Sequence, residues 1–153
     1  MKKFLSIYTL ILSTLFIVFY WDSSPIANIL NHWQVNLSSL LTSFTLADEL
    51  MQNNRILISH TLTLVIDKEC NGLIPYFFFL ASIIAFPSTV LHKIKWAIMG
   101  YLLLSILNVF RIWFITQFVM SSQNNFSLAH DYLGNVFLVF SALLLFITFI
   151  KTR

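Results

Sequence analysis

Long apolar tracts alternate with short polar segments along most of this 153-residue chain. A helix needs about 20 apolar residues to cross the hydrocarbon core of a bilayer, because it rises only about 1.5 Å per residue. Four tracts approach or exceed that length, at about residues 4–20, 73–91, 96–120 and 130–150. The pattern predicts an all-α integral membrane protein, in which residues 1–153 form one membrane domain with four transmembrane helices.

The segment between the first two tracts, residues 21–70, has a different pattern. From Ile26 to Phe44, apolar residues recur every three or four positions with asparagine, glutamine and serine between them. This spacing predicts an amphipathic helix, which we expect to lie at the outer membrane interface. A turn signal at residues 52–54 follows, and the period of two from Ile56 to Asp67 then predicts a short β-strand or half of a hairpin leading to Cys70.

Composition agrees with a membrane protein, since 58% of the residues are hydrophobic and only 10% are charged. The first tract follows Lys2 and Lys3 and has an alternative interpretation as a cleaved secretory signal. Its length of 17 residues exceeds the usual apolar region of such a signal, and the stretch after it lacks a small-residue cleavage site. We therefore favour a retained span.

Charged residues are divided unequally between the two sides that four spans would create. One side holds both termini and the loop at residues 92–95, and it carries six bases and no acid. The other side holds residues 21–70 and the loop at residues 121–130, and it carries all six acids. By the positive-inside rule both termini are cytoplasmic in the cell membrane. This distribution explains the net charge of +3 without an acidic partner, and we expect no binding of nucleic acid.

Three chemically active residues, distant in sequence, are predicted to meet at the outer face. Cys70 is the only cysteine and stands just before the second span, whereas His130 opens the fourth. Arg111 lies 16 residues beyond Lys95. That separation is about 24 Å of helix, which places the guanidinium near the outer boundary of a core about 30 Å thick.

A thiol, a guanidinium and an imidazole at one depth suit cysteine nucleophilic catalysis. A nearby cation favours the reactive thiolate, and an imidazole can accept and return a proton. A guanidinium can stabilise the oxyanion formed when a carbonyl is attacked. Each residue also has a structural interpretation: Cys70 as a small buried hydrophobe, Arg111 as a side chain that reaches to the interface, and His130 as an interfacial residue.

Supporting roles are predicted for five neighbours. Asn108 lies on the same helical face as Arg111 and would orient the guanidinium, or would form a hydrogen bond between helices. Gly72 permits a tight turn into the second span, with Asn71 beside it, and Gly134 permits close helix packing. Asp131 is better placed to stabilise the start of the fourth helix than to take part in chemistry.

The sequence indicates no cofactor and no metal site. A lone cysteine excludes an internal disulfide and every C-x-x-C motif, and no two histidines have metal-ligand spacing. His92 is interpreted as a residue of the cytoplasmic loop and His32 as part of the polar face of the interfacial helix. His60 interrupts the apolar face of the predicted strand, where it would point toward the site.

Three motifs in consecutive spans give the chain a family resemblance. "ECNG" before the second span, "NVFR" within the third and "HDYLG" at the start of the fourth resemble the Cys, Arg and His motifs of the exosortase/archaeosortase family of membrane transpeptidases. The resemblance covers roughly residues 62–140. It implies that Cys70 is the nucleophile and that Arg111 and His130 assist it. With four predicted spans, the chain resembles the compact subfamilies.

The resemblance also implies substrates and an acceptor. The substrates would be exported proteins with a C-terminal tail made of a short motif of the PEP-CTERM kind, a hydrophobic span and a basic cluster. The enzyme would cleave near the motif, hold the protein as a thioester and transfer it to a lipid or envelope acceptor. Two alternatives stay open: a processing protease that uses water as the acceptor, and a non-catalytic membrane scaffold or assembly protein.

Overall fold

The computed structural model describes residues 2–21, 24–59, 62–121, 126 and 128–152, without the side chains of residues 129 and 131. Helices α1 to α5 and strands β1 to β3 follow one another in this order: α1 Lys2–Tyr20, α2 Pro25–Ser43, β1 Met51–Gln52, β2 Arg55–Leu57, β3 Thr63–Val65, α3 Leu73–Ala85, α4 Val90–Ser121 and α5 Asn135–Lys151. Short 3-10 helices form at Asp48–Leu50 and Lys68–Cys70, and a π-helix at Leu128–Gly134 precedes α5.

Three helical segments are long and apolar enough to cross a membrane: Lys2–Tyr20, Val90–Ser121 and Tyr132–Lys151. The helical class and three of the four predicted spans therefore agree with the structure. The predicted second span, 73–91, does not form as one helix, because α3 ends at Ala85 after 13 residues. Phe86 adopts an extended conformation, as a residue before proline prefers, and Pro87 follows it.

The connection between the second and third predicted spans also differs from the prediction. The chain reverses at residues 86–89, and the expected loop at residues 92–95 lies within the beginning of α4. His92 is consequently a helical residue, whose ring packs 4.8 Å from that of Phe149 in α5. This difference arises because the Phe-Pro-Ser-Thr stretch stops one helix, and Val90 begins the next.

Helix α2 forms as predicted, but its polar face points into the protein. The buried residues are small or polar: Ala27, Asn31, Gln34, Ser38, Ser39 and Thr42. The large apolar residues on the opposite face, such as Trp33 and Leu40, are exposed. Ser24 caps the helix by accepting a hydrogen bond from the Ala27 N–H. Asn31 and Gln34 are buried because their hydrogen-bond partners lie on α1, on α4 and at Asn71, just before α3, as described below.

Of the two forms predicted for residues 56–67, a single strand or half of a hairpin, the structure contains the hairpin, formed by β2 and β3. Strands β1, β2 and β3 form an antiparallel sheet in that order. The turn at Asn53 and Asn54 joins the first two strands, and Asn53 has a φ of 56°, a conformation that asparagine tolerates better than most residues. Ile56 and Ile66 pack on Ile112 of α4, so the sheet covers the C-terminal part of that helix.

The helices enclose an aromatic core near the end of the bundle where α1 begins and α5 ends. Phe79, Leu104 and Phe149 are almost completely buried there. Gly100 of α4 faces Phe79 so closely that a side chain at this position would overlap the ring. Lys3 and Lys93 line a groove with Ile150 at this end, which we call the basic end. The other end of α1 contacts the 3-10 turn Lys68–Cys70, and we call this end of the bundle the site end.

Gly100→Ala tests whether this close approach determines helix packing. Alanine has the higher helix propensity, by about 1 kcal/mol, yet overlap with a rigid core ring costs roughly 1–3 kcal/mol. We expect the substitution to lower the thermal midpoint of the protein in detergent micelles. In the Phe79→Leu background, which makes room for the methyl group, Gly100→Ala should lower it no further. An increase in stability on the unaltered background would contradict the packing.

Candidate active site

Cys70 is held at the end of a short 3-10 helix at the site end. Asp67 begins this turn: its carboxylate accepts a hydrogen bond of 2.6 Å from the Lys68 N–H, and its carbonyl accepts one of 2.8 Å from the Cys70 N–H. The hydroxyl of Tyr20, the last residue of α1, donates to the Lys68 carbonyl at 2.8 Å. The backbone that carries the thiol is therefore fixed from within the turn and from α1.

Asn71 and Gly72 direct the chain from this turn into α3. Gly72 has a φ of 79°, in the left-handed region, as the tight turn predicted at this residue requires. The Asn71 side chain accepts a hydrogen bond from the Leu73 N–H at 3.0 Å and thereby caps α3. Asn71 is fully buried, so its other polar atoms also need partners.

Those partners come from the inward face of α2. The Asn71 amide donates to Asn31 Oδ1 at 2.9 Å, and its carbonyl accepts from Gln34 Nε2 at 3.1 Å. Gln34 Oε1 in turn accepts a short hydrogen bond from the Tyr101 hydroxyl on α4. Asn31 also donates to the Phe19 carbonyl of α1 at 2.7 Å. The network joins the residue after the thiol to three helices.

Arg111 is only 3% exposed and lies between two asparagines. Its Nη1 is 3.5 Å from Asn108 Oδ1, one helical turn earlier on α4, and its Nη2 donates to Asn135 Oδ1 at 2.9 Å. The Asn108 amide donates to the Cys70 carbonyl at 2.9 Å. Asn108 thus links the Arg111 guanidinium to the Cys70 backbone. Asn135, at the start of α5, holds the same guanidinium from the other side.

His130 lies within the π-helix that precedes α5. Its Nε2 is 3.3 Å from Cys70 Sγ, within hydrogen-bonding distance for sulfur. The ring of Phe126 stacks on the imidazole with a centroid separation of 5.2 Å and an interplanar angle of 18°. π-helical turns are rare and occur often at functional sites, where the extra residue redirects a side chain.

The surroundings of Cys70 change the pKa of its thiol. Burial alone would raise this pKa, but the hydrogen bond to His130, the charges of His130 and Arg111 and the backbone bond to Asp67 together lower it below its ordinary value. The thiolate is the nucleophilic form of cysteine. The site therefore increases the thiolate fraction of Cys70 relative to that of a free thiol at the same pH.

Two cavities adjoin the imidazole and the guanidinium. One, of about 180 Å³, lies between the sheet and α4 and is lined by Cys70, Arg111, His130 and β3 among others. The second, of about 430 Å³, lies among α1, α3 and α5, with Glu69, Ile74, Pro75 and Leu138 in its walls. A peptide bond placed at the sulfur would thus have space on both sides.

The structure brings Cys70, Arg111 and His130 together, with Asn108, Asn71 and Gly72 as direct neighbours. Gly134 is buried at the end of the π-helix. The predicted roles of the Asp131 side chain and of His60 fall outside the described residues. His92 is at the basic end, and His32 lines a separate cavity between α2 and the β1–β2 turn. Neither of these two histidines belongs to the site.

Two features of the site are not in the sequence prediction. Asn135 follows His130 by five residues and stands at the start of α5, where a polar residue has an ordinary explanation in the helix end. An amphipathic helix at the membrane interface is expected to turn its polar face to water, but the polar face of α2 points into the protein. The composition of the helix is a better indication of this burial, since it contains three asparagines, one glutamine, one histidine and no charged residue. An uncharged polar face suits burial between helices.

The pH dependence of Cys70 alkylation tests the electrostatics of the site. Because the folded-state pKa is lowered, the rate with iodoacetamide should rise with pH to a midpoint below that of a model thiol, about 8.5. His130→Ala removes the hydrogen bond and the charge and should move the midpoint upward. His92→Ala, at the opposite end, should leave it unchanged. An unaltered midpoint in His130→Ala would contradict the contact.

Comparison with known proteins assigns the chain to a family. The family model described as "Transmembrane exosortase" matches residues 2–147, which is nearly the whole chain. No match is found among curated proteins or among solved structures. The matched region includes all the helices that carry Cys70, Arg111 and His130, together with α1 and α2. The chain is therefore a multi-pass membrane protein that belongs to the transmembrane exosortase family.

Proposed function

We propose that this protein is a cysteine-dependent transpeptidase that cleaves the C-terminal sorting tail of exported proteins and transfers them to an envelope acceptor. The observation that supports this most strongly is the contact of 3.3 Å between Cys70 Sγ and His130 Nε2, beside the buried Arg111. A thiol paired with an imidazole is the arrangement by which cysteine nucleophiles are activated. Family membership supports the same class of reaction.

The first half of the reaction forms a thioester. The Cys70 thiolate attacks the carbonyl carbon of the scissile peptide bond, and the carbonyl oxygen becomes an oxyanion. The Arg111 guanidinium, which lines the same cavity as the thiol, stabilises that charge. When the intermediate collapses, the C–N bond breaks and protonated His130 donates its proton to the leaving amine.

The second half transfers the exported protein. A nucleophilic group of the acceptor gives its proton to neutral His130 and attacks the thioester carbonyl. The C–S bond then breaks and regenerates the Cys70 thiolate. A lipid or other envelope component is the proposed acceptor, and water in the same position would make the enzyme a processing protease.

The positions of the charges support an active site on the outer face of the cell membrane. Lys3 and Lys93 gather at the basic end, whereas Asp67 and Glu69 flank Cys70 at the site end. By the positive-inside rule the basic end is cytoplasmic, so both termini are inside and the thiol is outside. A substrate whose hydrophobic tail ends in a basic cluster would cross the membrane in the same orientation and present its cleavage motif at the level of Cys70.

Cys70→Ala tests the proposed function directly. We expect complete loss of cleavage when the variant is expressed with an exported protein from the same genome that ends in a motif, an apolar span and a basic cluster. Immunoblotting of the substrate measures this loss, and an unchanged thermal midpoint shows that the variant folds. His92→Ala is the control and should process normally.

Processing by Cys70→Ala at the level of the unaltered protein would favour the scaffold interpretation. Mass spectrometry of the product's new C-terminus separates the two enzymatic outcomes, since transfer adds the mass of the acceptor whereas hydrolysis leaves a free carboxylate. We expect the new C-terminus to carry the added mass of the acceptor.

Asn135→Ala tests whether Asn135 positions Arg111. The substitution removes the acceptor 2.9 Å from Nη2, and we expect cleavage to slow by about tenfold, a typical effect for a lost hydrogen bond to a charged group. In the Arg111→Ala background the same substitution should have no further effect, because residues that act through one another are not additive. Additive losses would contradict a positioning role.

A further inference from the structure

Strand β3 is the edge of the sheet, and its hydrogen-bonding groups alternate between two sides. The Ile66 N–H donates to the Asn54 carbonyl at 2.8 Å, and the Ile58 N–H donates to the Leu62 carbonyl at 3.0 Å. Leu64 stands opposite Ile56, midway between these pairs. In an antiparallel ladder only alternate residues bond to a given neighbour, so the even-numbered residues face β2.

Thr63 and Val65 therefore direct their N–H and C=O groups away from β2. No other strand of the described part of the chain lies on that side, since the order of the sheet is β1, β2, β3. The side chain of Val65 is 51% exposed, so it does not close off the edge. An edge of this kind is a ready template for an extended peptide.

This edge lies beside the nucleophile. All three residues of β3 line the cavity of about 180 Å³ that also contains Cys70, Arg111 and His130. Leu64 packs in the same apolar cluster as Cys70, which fixes the strand relative to the thiol. The second cavity next to the site is walled mainly by α1, α3 and α5, whose backbone groups are bonded within the helices and are not available to a peptide.

We infer that the substrate residues on the acyl side of the scissile bond bind as an additional strand along Thr63–Val65, which places the scissile carbonyl at Cys70. This inference rests on the proposed function and specifies its substrate as a peptide in extended conformation. Main-chain hydrogen bonds supply affinity in this mode, and alternate side chains supply specificity. The walls formed by Ile112, Ile115 and Phe126 favour small or apolar side chains toward the cavity.

Peptide chloromethyl ketones test the pairing without knowledge of the natural motif. The Cys70 thiolate displaces chloride from the ketone, and mass spectrometry locates the adduct on the chain's single cysteine. We compare N-acetyl-trialanyl chloromethyl ketone with the same peptide N-methylated at its internal amides. Each rate with the full-length protein in detergent is divided by the rate of the same reagent with glutathione, which removes differences in intrinsic reactivity.

On the unaltered protein, we expect the parent peptide to react about tenfold faster than its N-methylated form. Only one of the two internal N–H groups faces β3, and the methyl group both removes its hydrogen bond and blocks close approach to the strand. Val65→Pro should abolish this difference. Proline replaces the outward N–H with a ring carbon that projects toward the paired peptide, so the peptide can no longer approach closely enough to donate its N–H groups to the Thr63 and Val65 carbonyls. No bond to β2 is lost, and edge strands tolerate proline. Val65→Ala is the matched control: it loses the side chain, keeps the N–H and should keep the tenfold preference.

Iodoacetamide, which has no peptide backbone to pair, should alkylate Val65→Pro at the normal rate. If that rate falls, the substitution has disturbed the Cys70 turn, and Thr63→Pro, farther from the thiol, replaces it in the comparison. Equal rates for the two peptides on the unaltered protein would overturn the inference, as would a preference retained by both proline variants. Such a result leaves the proposed function standing, whereas processing by Cys70→Ala would refute that function itself.

Discussion

The hydrogen bond from the Asn108 amide to the Cys70 carbonyl, across Gly72, is the contact on which the site depends. A side chain at position 72 would lie 3.0 Å from the Asn108 Cβ, and the backbone there has a positive φ. Only glycine satisfies both conditions without strain. Because the turn approaches α4 this closely, one asparagine can hold the Cys70 backbone and contact Arg111 at the same time. His130, in the π-helix before α5, then contacts the Cys70 sulfur.

Buried polar groups around this contact satisfy one another within an apolar bundle. A polar group without a partner in such surroundings costs several kilocalories per mole, roughly, so each amide needs its bonds. Asn71, Asn31 and Gln34 form a connected set that reaches from the Cys70 turn to Tyr101. This set explains why α2 turns Asn31 and Gln34 inward, and it gives α2 a structural role in holding the turn that carries Cys70.

Much of the candidate site was predictable because its three main residues are of types that are rare in this chain or in apolar spans. A single cysteine, an arginine inside an apolar span and a histidine at a helix start are conspicuous, and helical rise alone places Arg111 at a plausible depth. The helical class and three spans follow from tract length. The second span was predicted too long, because the Phe86–Pro87 break ends its helix early. The choice between a single strand and a hairpin, which the sequence leaves open, depends on tertiary contacts, since Leu64 and Ile66 pack back on α4. The inward face of α2 and the role of Asn135 depend on partners that lie far away in sequence.

The brevity of α3 has a consequence for the environment of the thioester. Thirteen helical residues span about 20 Å, roughly 10 Å less than a typical hydrocarbon core. A bilayer next to such a helix must thin locally, or its headgroups must stand higher than the sulfur. In the second case the acyl-enzyme of the proposed reaction would be recessed among lipids, where the concentration of water is low. A nucleophile that diffuses laterally within the leaflet would then reach the carbonyl more often than water does.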